Sequence, residues 1–174
     1  MVLKICISGL TATGKTTLGT KIAEALKIKH LNPTYKDFVK DTKELLELMH
    51  HVDRKFAQKF DDALIEEAKK QDCVTSNWLA PWLIKDATLR VLLIASPDAR
   101  AKRWAKEHII SEKDAKRIIT EKDEANRKHF TDAYKINIDD HTIFDLTLNT
   151  EKMSMEEMVA TVSMLSLERS KKNF

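Results

Sequence analysis

The stretch "GLTATGKTT" (9–17) decides how this sequence is interpreted. It follows "VLKICIS" (2–8), an apolar run typical of a buried strand, and precedes a segment whose apolar residues recur at helical spacing. A strand, a glycine-containing loop and a helix in this order form the setting in which the pattern G-x-x-x-x-G-K-[ST] binds phosphate. The stretch therefore predicts a phosphate-binding loop between the first strand and the first helix.

Each part of the pattern has a physical role. Gly9 and Gly14 allow backbone N–H groups to turn inward around phosphate oxygens. The helix that starts at about Lys15 directs its positive end toward the same anion. The Lys15 ammonium is expected to reach the β- and γ-phosphates, and the Thr16 hydroxyl is expected to coordinate Mg²⁺. We predict a nucleoside triphosphate site built from Gly9, Thr11, Ala12, Thr13, Gly14, Lys15, Thr16 and Thr17.

Composition limits the class of protein. The 174 residues are enough for one domain with its own core, and a net charge of +3 gives no argument for nucleic acid or a membrane surface. No apolar run approaches the roughly 20 residues that span a bilayer. The sequence starts without a typical signal pattern, so we expect a cytoplasmic protein. Cys6 and Cys73 lie in short apolar runs without the spacing of a metal site, and we expect both to be buried and reduced.

Short apolar runs alternate with amphipathic helical patterns, which predicts a parallel sheet covered by helices on both faces. Ser96 and Pro97 are typical of a helix start, and Ser154 with Glu157 forms a capping box for the last helix. We therefore predict an α/β fold of the three-layer α/β/α type. The predicted strands are 2–8, 29–32, 73–76, 89–95 and 144–149.

The segment from Ala99 to Lys128 is helical in pattern and dense in charge. One interpretation is a solvated helical pair, because acids such as Glu112, Asp114 and Glu121 are interleaved with the basic residues. The position of the segment in the chain favours a second interpretation. In this architecture the segment would fold over the ligand end of the sheet, where a mobile lid would lie.

The order of these elements resembles the archaeal-type cytidylate kinases, which are small nucleoside monophosphate kinases with a phosphate loop. The most specific match is "YKINIDDHTIFDLTLNT" (134–150), with weaker ones in "RAKRWAKEH" (100–108) and "VDR" (52–54). The resemblance implies a five-stranded parallel sheet, an acceptor-binding helical region at 33–70 and a lid at about 99–130. It also implies ATP as the phosphate donor and Mg²⁺ as the metal. We expect the lid residues Arg100, Arg103, Lys122 and Arg127 to act with Lys15 on the transferring phosphate.

The acceptor side departs from that family. Where the family has Glu-Gly-Arg-Leu-Ala-Gly-Trp, this chain has "SNWLAPW" (76–82), so Ser76 replaces an acid and Trp78 replaces an arginine. In the lid, "KDEANRKH" (122–129) stands where the family has Arg-Glu-Glu-Ser-Glu-Arg-Lys-Arg. Several changes on one side, with the phosphate loop intact, suggest a changed acceptor more readily than a dead enzyme. The candidate acceptor-binding residues are Lys36, Arg54, Asn77 and Trp78.

The chemistry leaves the acceptor open. A phosphate acceptor is already largely a dianion at neutral pH, so it needs no general base. A hydroxyl acceptor would need a carboxylate within reach, and Asp37, Asp53 and Asp145 are the candidates. Losing the acid at Ser76 argues for a phosphate acceptor, whereas losing the arginine at Trp78 argues against one.

Three functions follow from the sequence. The first is a nucleoside monophosphate kinase that moves phosphate from ATP to CMP or dCMP. The second is a kinase of the same fold that acts on another phosphorylated metabolite, such as mevalonate 3-phosphate. The third is a nucleotide-responsive binding protein without turnover. We expect a small-molecule phosphoryl acceptor as partner, with a monomer as the default state.

Overall fold

The computed structural model describes residues 2–32 and 54–172, without the side chains of residues 54–60 and 172. Five parallel strands form one sheet in the order β2-β3-β1-β4-β5. The predicted strands are all present, with bounds that differ by no more than two residues. Their ranges are β1 (Lys4–Gly9), β2 (Lys29–Leu31), β3 (Cys73–Thr75), β4 (Leu89–Ile94) and β5 (Leu146–Asn149).

Helices connect the strands, and the described part of the chain also contains a short 3₁₀ turn, His141–Ile143. Three of the helix starts agree with those predicted near residues 15, 97 and 155. The helix ranges are α1 (Lys15–Leu26), α2 (Arg54–Lys70), α3 (Ala80–Leu83), α4 (Pro97–His108), α5 (Glu112–Tyr134) and α6 (Met155–Lys172).

Strand β1 is buried along its whole length because helices cover both faces of the sheet. Ile5 and Ile7 point to one face, where they join a core that includes Leu18 of α1 and Val162 of α6. Cys6 points to the other face and packs in a second core under α2 and α3. This alternation explains why β1 reads as a continuous apolar run rather than as an alternating one.

Both cysteines are free and buried, as the sequence predicts. Burial raises the pKa of the Cys6 thiol to about 12. Burial also raises the pKa of the Cys73 thiol, to about 11. Neither thiol forms a thiolate near neutral pH, so both act as small apolar side chains in the core.

The predicted helix starts have the expected caps. The Ser96 hydroxyl accepts a hydrogen bond from the Ala99 N–H at 3.2 Å, with Pro97 in the first turn of α4. At α6, the Ser154 N–H donates to the Glu157 carboxylate at 2.7 Å, and the Glu157 N–H donates to the Ser154 hydroxyl at 3.2 Å. These are the two reciprocal bonds of a capping box.

Helices α4 and α5 form a helical hairpin with a small apolar seam of its own, made by Ala101, Ala105, Ala115 and Ile119. The hairpin corresponds to the predicted lid at 99–130 and extends beyond it at both ends. Helix α2 lies in the predicted acceptor-binding region at 33–70, whose residues 33–53 are outside the described residues. Of the helices described, none is long and apolar enough to cross a membrane.

Strand β1 lies at the centre of the sheet, with β3 on one side and β4 on the other. In open parallel sheets, ligands bind outside the carboxyl ends of the strands at the point where the strand order reverses. The loop that follows β1 starts at this point, so the fold places the predicted phosphate loop where a ligand crevice is expected.

Candidate functional site

The phosphate loop runs from the end of β1 to the start of α1. A Cβ atom on Gly9 would lie 2.5 Å from the carbonyl oxygen of Leu93, and Gly9 has a φ of 150°. Gly14 has a φ of 94° and is the N-cap residue of α1. Gly9 is needed because a side chain would collide with the backbone of Leu93. Both glycines are also needed because other residues rarely adopt their positive φ angles. Ala12 also has a positive φ, 61°, although it is not a glycine.

The start of α1 is open to an anion. Its N-cap residue makes no side-chain hydrogen bond to the helix, and its first turn contains no acidic residue. A helix N-terminus leaves its first backbone N–H groups without helical partners, and its dipole favours negative charge there. Of the other loop residues, Thr13 donates its hydroxyl to the Leu10 carbonyl at 2.8 Å, and Thr17 is exposed. The loop therefore has the features of an anion site.

Lys15 folds back over the loop in this structure. Its ammonium donates to the carbonyl oxygens of Gly9 at 2.7 Å and Leu10 at 2.9 Å. It also lies 5.0 Å from the centre of the Trp78 ring. Burial lowers the pKa of Lys15 to about 7, Asp123 opposes that shift, and the nearby cations Lys122 and Arg100 add to it. A phosphate would restore the charged form by giving the ammonium an anionic partner.

Thr16 is exposed on the first turn of α1. In the described part of the chain, no group of three or more His, Cys, Asp and Glu side chains could hold a metal ion by itself. Mg²⁺ keeps several waters and is usually bound through few protein groups together with phosphates. Thr16 would supply one oxygen ligand of that kind.

The hairpin contacts the loop directly. Arg100 donates to the Thr11 carbonyl at 3.0 Å and to the Asp123 carboxylate at 2.7 Å. Asp123 in turn accepts the Thr11 N–H at 3.0 Å. Arg103 donates to the Ala12 carbonyl at 3.5 Å. The basic segment is therefore placed at the ligand end of the sheet, as its position in the chain predicts.

The remaining predicted lid residues have partners of their own. Lys122 is exposed, and its ammonium lies 4.9 Å from the centre of the Trp104 ring. Arg127 donates from its Nε atom to both carboxylate oxygens of Asp139, at 3.2 and 2.9 Å. Asp139 belongs to the loop that follows α5, so this pair joins the hairpin to the "INIDDH" segment (136–141).

A cavity of about 250 Å³, here called the β5-side cavity, lies beside the loop next to the end of β5. Arg103 lines it and donates to the hydroxyl and carbonyl of Thr150, both at 2.7 Å. Much of its remaining lining is apolar and includes Met153, Met155 and Met158. Met155 and Met158 belong to α6, and all three methionines pack in or against the main core as well.

A second cavity of about 230 Å³, here called the Trp78 cavity, lies at the ends of β1 and β4. Apolar side chains form much of its wall, including Trp78, Ile94 and Ile138. Arg127 and Asp139 add the ion pair described above. The two cavities share Thr13, so the phosphate loop lies between them. The β5-side cavity has Arg103 and Thr150 as polar groups, whereas the Trp78 cavity has the ion pair of Arg127 and Asp139.

The end of β3 holds the residues that depart from the cytidylate kinase pattern. Ser76 is buried, and its hydroxyl lies 2.8 Å from His30 Nε2, while His30 Nδ1 lies 3.2 Å from the Thr20 hydroxyl. Burial lowers the pKa of His30, which favours the neutral ring. Asn77 uses its side-chain oxygen to accept the Leu79 N–H at 2.8 Å. Of the other predicted acceptor residues, Lys36 and the Arg54 side chain lie outside the described residues.

Trp78 starts a row of aromatic contacts that leads to α2. Its ring centre lies 6.0 Å from that of Phe130, which also contacts His129 and Tyr134. The Tyr134 hydroxyl donates to Asp61 of α2. Burial raises the pKa of the Asp61 carboxyl, and the Tyr134 bond opposes that shift. Trp78 and His129 both stand where the resemblance implies an arginine. The surface of the site that faces α2 therefore carries aromatic rings in place of two positive charges.

The three candidate general bases have different positions. Asp145 directly precedes β5, accepts the Arg90 N–H at 2.7 Å and pairs with Arg169 at 2.7 Å. Since the strands are parallel, Asp145 lies at the amino-terminal end of the sheet, whereas the phosphate loop lies at the carboxyl-terminal end. Asp145 joins β4, β5 and α6. Asp37 and Asp53 lie outside the described residues.

Comparison with known proteins shows the family. The model of the cytidylate kinase-like family matches residues 32–152. The chain belongs to this family. A cytidylate kinase of Pyrococcus horikoshii is 36% identical, with 92% of this chain and 86% of that protein covered. A cytidylate kinase of Pyrobaculum arsenaticum is 31% identical, with 97% of each covered.

Solved structures agree on the fold. A shikimate kinase from Bacteroides thetaiotaomicron has a TM-score of 0.62 and 18% identity, covering 95% of this chain and 98% of that one. A deoxyadenosine kinase from M. mycoides has a TM-score of 0.56 and 15% identity, covering 95% and 99%. This member of the cytidylate kinase-like family is thus a kinase with the fold that the sequence predicts.

Sequence reasoning missed two residues at the site. Asp123 is one of the interleaved acids of the basic segment, yet it is buried against the loop rather than solvated. Asp123 stands where the family pattern has an acid, in "KDEANRKH" (122–129), and this acid-for-acid position was the available signal. His30 lies in the weakest predicted strand, and nothing in its local sequence indicates that it meets Ser76 across 46 positions.

Proposed function

We propose that this kinase transfers the γ-phosphoryl group of ATP to a nucleoside monophosphate, with CMP and dCMP as the leading acceptors. One observation carries the proposal: the start of α1, uncapped and free of acidic residues, lies directly behind a glycine-framed loop over which Lys15 is folded. The family and its cytidylate kinase relatives support the choice of acceptor.

On the donor side, the backbone N–H groups at the start of α1 bind phosphate oxygens. Lys15 leaves the Gly9 and Leu10 carbonyls and pairs with the phosphates, which returns it to the charged form. Arg103 and Thr150 line the β5-side cavity, which we assign to the nucleoside of the donor. Thr16 would hold Mg²⁺, which when bound supplies charge neutralisation between the phosphates.

On the acceptor side, the Trp78 cavity receives the group that is phosphorylated. The transfer forms one bond from an acceptor oxygen to phosphorus and breaks the bond from phosphorus to ADP. A phosphate acceptor needs no general base, because its dianion is the main form at neutral pH. Arg127 is placed to contribute charge near the cavity, although Asp139 partly neutralises it.

A second acceptor class is favoured by Trp78 itself. An indole ring stands where the family pattern has an arginine, and Ile94 and Ile138 share its cavity. Such a wall suits a phosphorylated metabolite with an apolar carbon body, mevalonate 3-phosphate being one example. The same donor side would serve this acceptor, so both proposals require ATP.

The test is a panel of acceptors with ATP and Mg²⁺, in which ADP release is measured by a coupled assay. We expect turnover with CMP and dCMP above that with UMP and AMP. Turnover only with a non-nucleotide phosphate ester would replace the leading acceptor with the second class. No ADP release above the rate of the Lys15→Met variant with any acceptor would contradict the kinase proposal.

A further inference from the structure

The crest of the phosphate loop, defined as Thr11 and Ala12, is held in a costly conformation. Ala12 lies in the left-handed region at a φ of 61°, which non-glycine residues adopt with strain. Such a conformation persists when the surrounding structure fixes it. The contacts that reach the crest therefore show what keeps the loop in shape.

Those contacts come from the hairpin. Asp123 accepts the Thr11 N–H at 3.0 Å, and Arg100 donates to the Thr11 carbonyl at 3.0 Å. The two side chains are paired with each other at 2.7 Å. Both backbone polar groups of Thr11 are thus bonded to one ion pair, while the crest carbonyl of Ala12 is bonded to Arg103.

This ion pair is deeply buried, with 5% of Arg100 and 2% of Asp123 exposed. Desolvation makes such a pair a poor source of stability. Among the described residues, two more polar atoms at the same contact, Thr11 Oγ1 and Arg100 Nε, are buried without a hydrogen-bond partner. A contact this expensive and incompletely satisfied is better explained by what it positions than by the stability it contributes.

We propose that Asp123 and Arg100 form a brace that fixes the crest of the phosphate loop, so that affinity for the β-phosphate depends on two side chains that do not touch the nucleotide. Both are positioning residues. This assigns Arg100 a role different from the direct phosphate contact predicted from the sequence. The inference rests on the proposed function, because it takes a nucleoside di- or triphosphate as the ligand of the loop.

The brace makes a prediction that general destabilisation does not. A misplaced crest disturbs the cradle for the β-phosphate and leaves the nucleoside pocket intact. The Asp123→Asn variant keeps an oxygen for the Thr11 N–H but loses the charge that holds Arg100. We expect its affinity for ADP to fall about tenfold and its affinity for AMP, which lacks a β-phosphate, to change less than twofold.

The experiment measures the affinity for ADP by calorimetry and the affinity for AMP by NMR titration. Both are measured on the wild type, Asp123→Asn and Asp98→Asn. Asp98 is the matched control, since it is an exposed hairpin carboxylate paired with Lys116 at 2.7 Å. Equal losses for ADP and AMP, or no loss for either, would overturn the brace. Failure of the wild type to bind ADP would instead count against the proposed function.

Amide hydrogen exchange on the wild type decides the matter if Asp123→Asn does not fold or ADP does not bind. We expect the Thr11 amide to be protected in the nucleotide-free protein, because its N–H is bonded to a buried carboxylate. Arg100→Lys, which keeps the charge but loses the fork of the guanidinium, is expected to speed that exchange. Fast exchange of Thr11 in the wild type would show that the brace is not formed.

Discussion

The two sides of the phosphate loop differ in how they relate to the family. The loop side keeps the complete sequence pattern: Gly9 and Gly14 have positive φ angles, and Lys15 and Thr16 begin α1. The side at the end of β3 has a serine and a tryptophan where the family pattern has an acid and an arginine. Under the proposed function, the first side binds the donor and the second binds the acceptor. The difference then teaches that separate parts of the fold serve the two substrates, because residues of one part differ from the family pattern while the phosphate loop keeps it.

The largest effect is expected on the donor side, from Lys15→Met. Removing the ammonium takes away the charge that stabilises the transferring phosphate, and we expect kcat to fall by roughly 10²–10³-fold. Steady-state ADP release measures this. Lys21→Met is the control, because Lys21 is an exposed lysine of the same helix whose contact with Glu24 is 3.9 Å long. A kcat within threefold of the wild type would break the assignment of the donor side.

The acceptor side is tested by Trp78→Ala. If the indole ring packs against the acceptor, we expect the KM of the acceptor to rise about tenfold, as for the loss of one aromatic stack. The KM of ATP should change less than twofold. Trp82→Ala is the matched control, because Trp82 packs edge-on against Phe144 at 5.3 Å and is not part of the Trp78 cavity. A rise in the KM of ATP alone would reverse the roles of the two sides.

The depressed pKa of Lys15 predicts a pH effect confined to the donor. Nucleotide binding requires the ammonium, and the free protein loses it as the pH rises through about 7. Linkage then makes ATP binding about fivefold weaker at pH 8 than at pH 7, with proton uptake on binding. Calorimetry in two buffers of different ionisation enthalpy measures both quantities.

Lys15→Arg is the control for that effect, because a guanidinium stays charged across this range. Whatever its affinity for ATP relative to the wild type, that affinity should be the same at pH 7 and pH 8. Equal pH dependence in the wild type and this variant would place the titrating group elsewhere.

The smallest effect is expected from Asp145→Asn. Asp145 lies at the edge of the sheet opposite the loop, so kcat should stay within twofold of the wild type. The loss of its partly exposed bond to Arg169 should lower the free energy of unfolding by about 1 kcal/mol, which corresponds to about 2–4 °C in Tm. Thermal denaturation and ADP release measure the two effects. A large fall in kcat with an unchanged Tm would restore Asp145 as a candidate base.

The sequence predicted the two sides unequally for a physical reason. The phosphate loop is local: a strand, a loop and a helix start within residues 4–16 carry its geometry, so a short pattern is sufficient. The Trp78 cavity, the proposed acceptor side, is lined by Trp78, by Arg127 of α5 and by Ile138, Asp139 and His141, which meet only in the folded chain. Sequence spacing could not show that Trp78 faces Phe130, or that Ser76 meets His30.

The hairpin shows the same limit in another form. Arg100 and Arg103 of the hairpin contact the phosphate loop, whereas Lys116 and Arg117 pair with carboxylates of the hairpin itself. The local sequence pattern gives every one of these charges the same weight. Burial separates them, since Asp123 is almost fully buried while Lys122 beside it is exposed. The strained Ala12 was equally invisible, because the pattern requires no particular residue at that position.

The most direct test of the central claim is an ADP titration of the ¹⁵N-labelled protein followed by NMR. The account predicts that the amide resonances of Gly14, Lys15 and Thr16 shift together and reach saturation, since their N–H groups bind the phosphates. Saturation of shifts elsewhere in the chain, with these three amides unchanged, would contradict it.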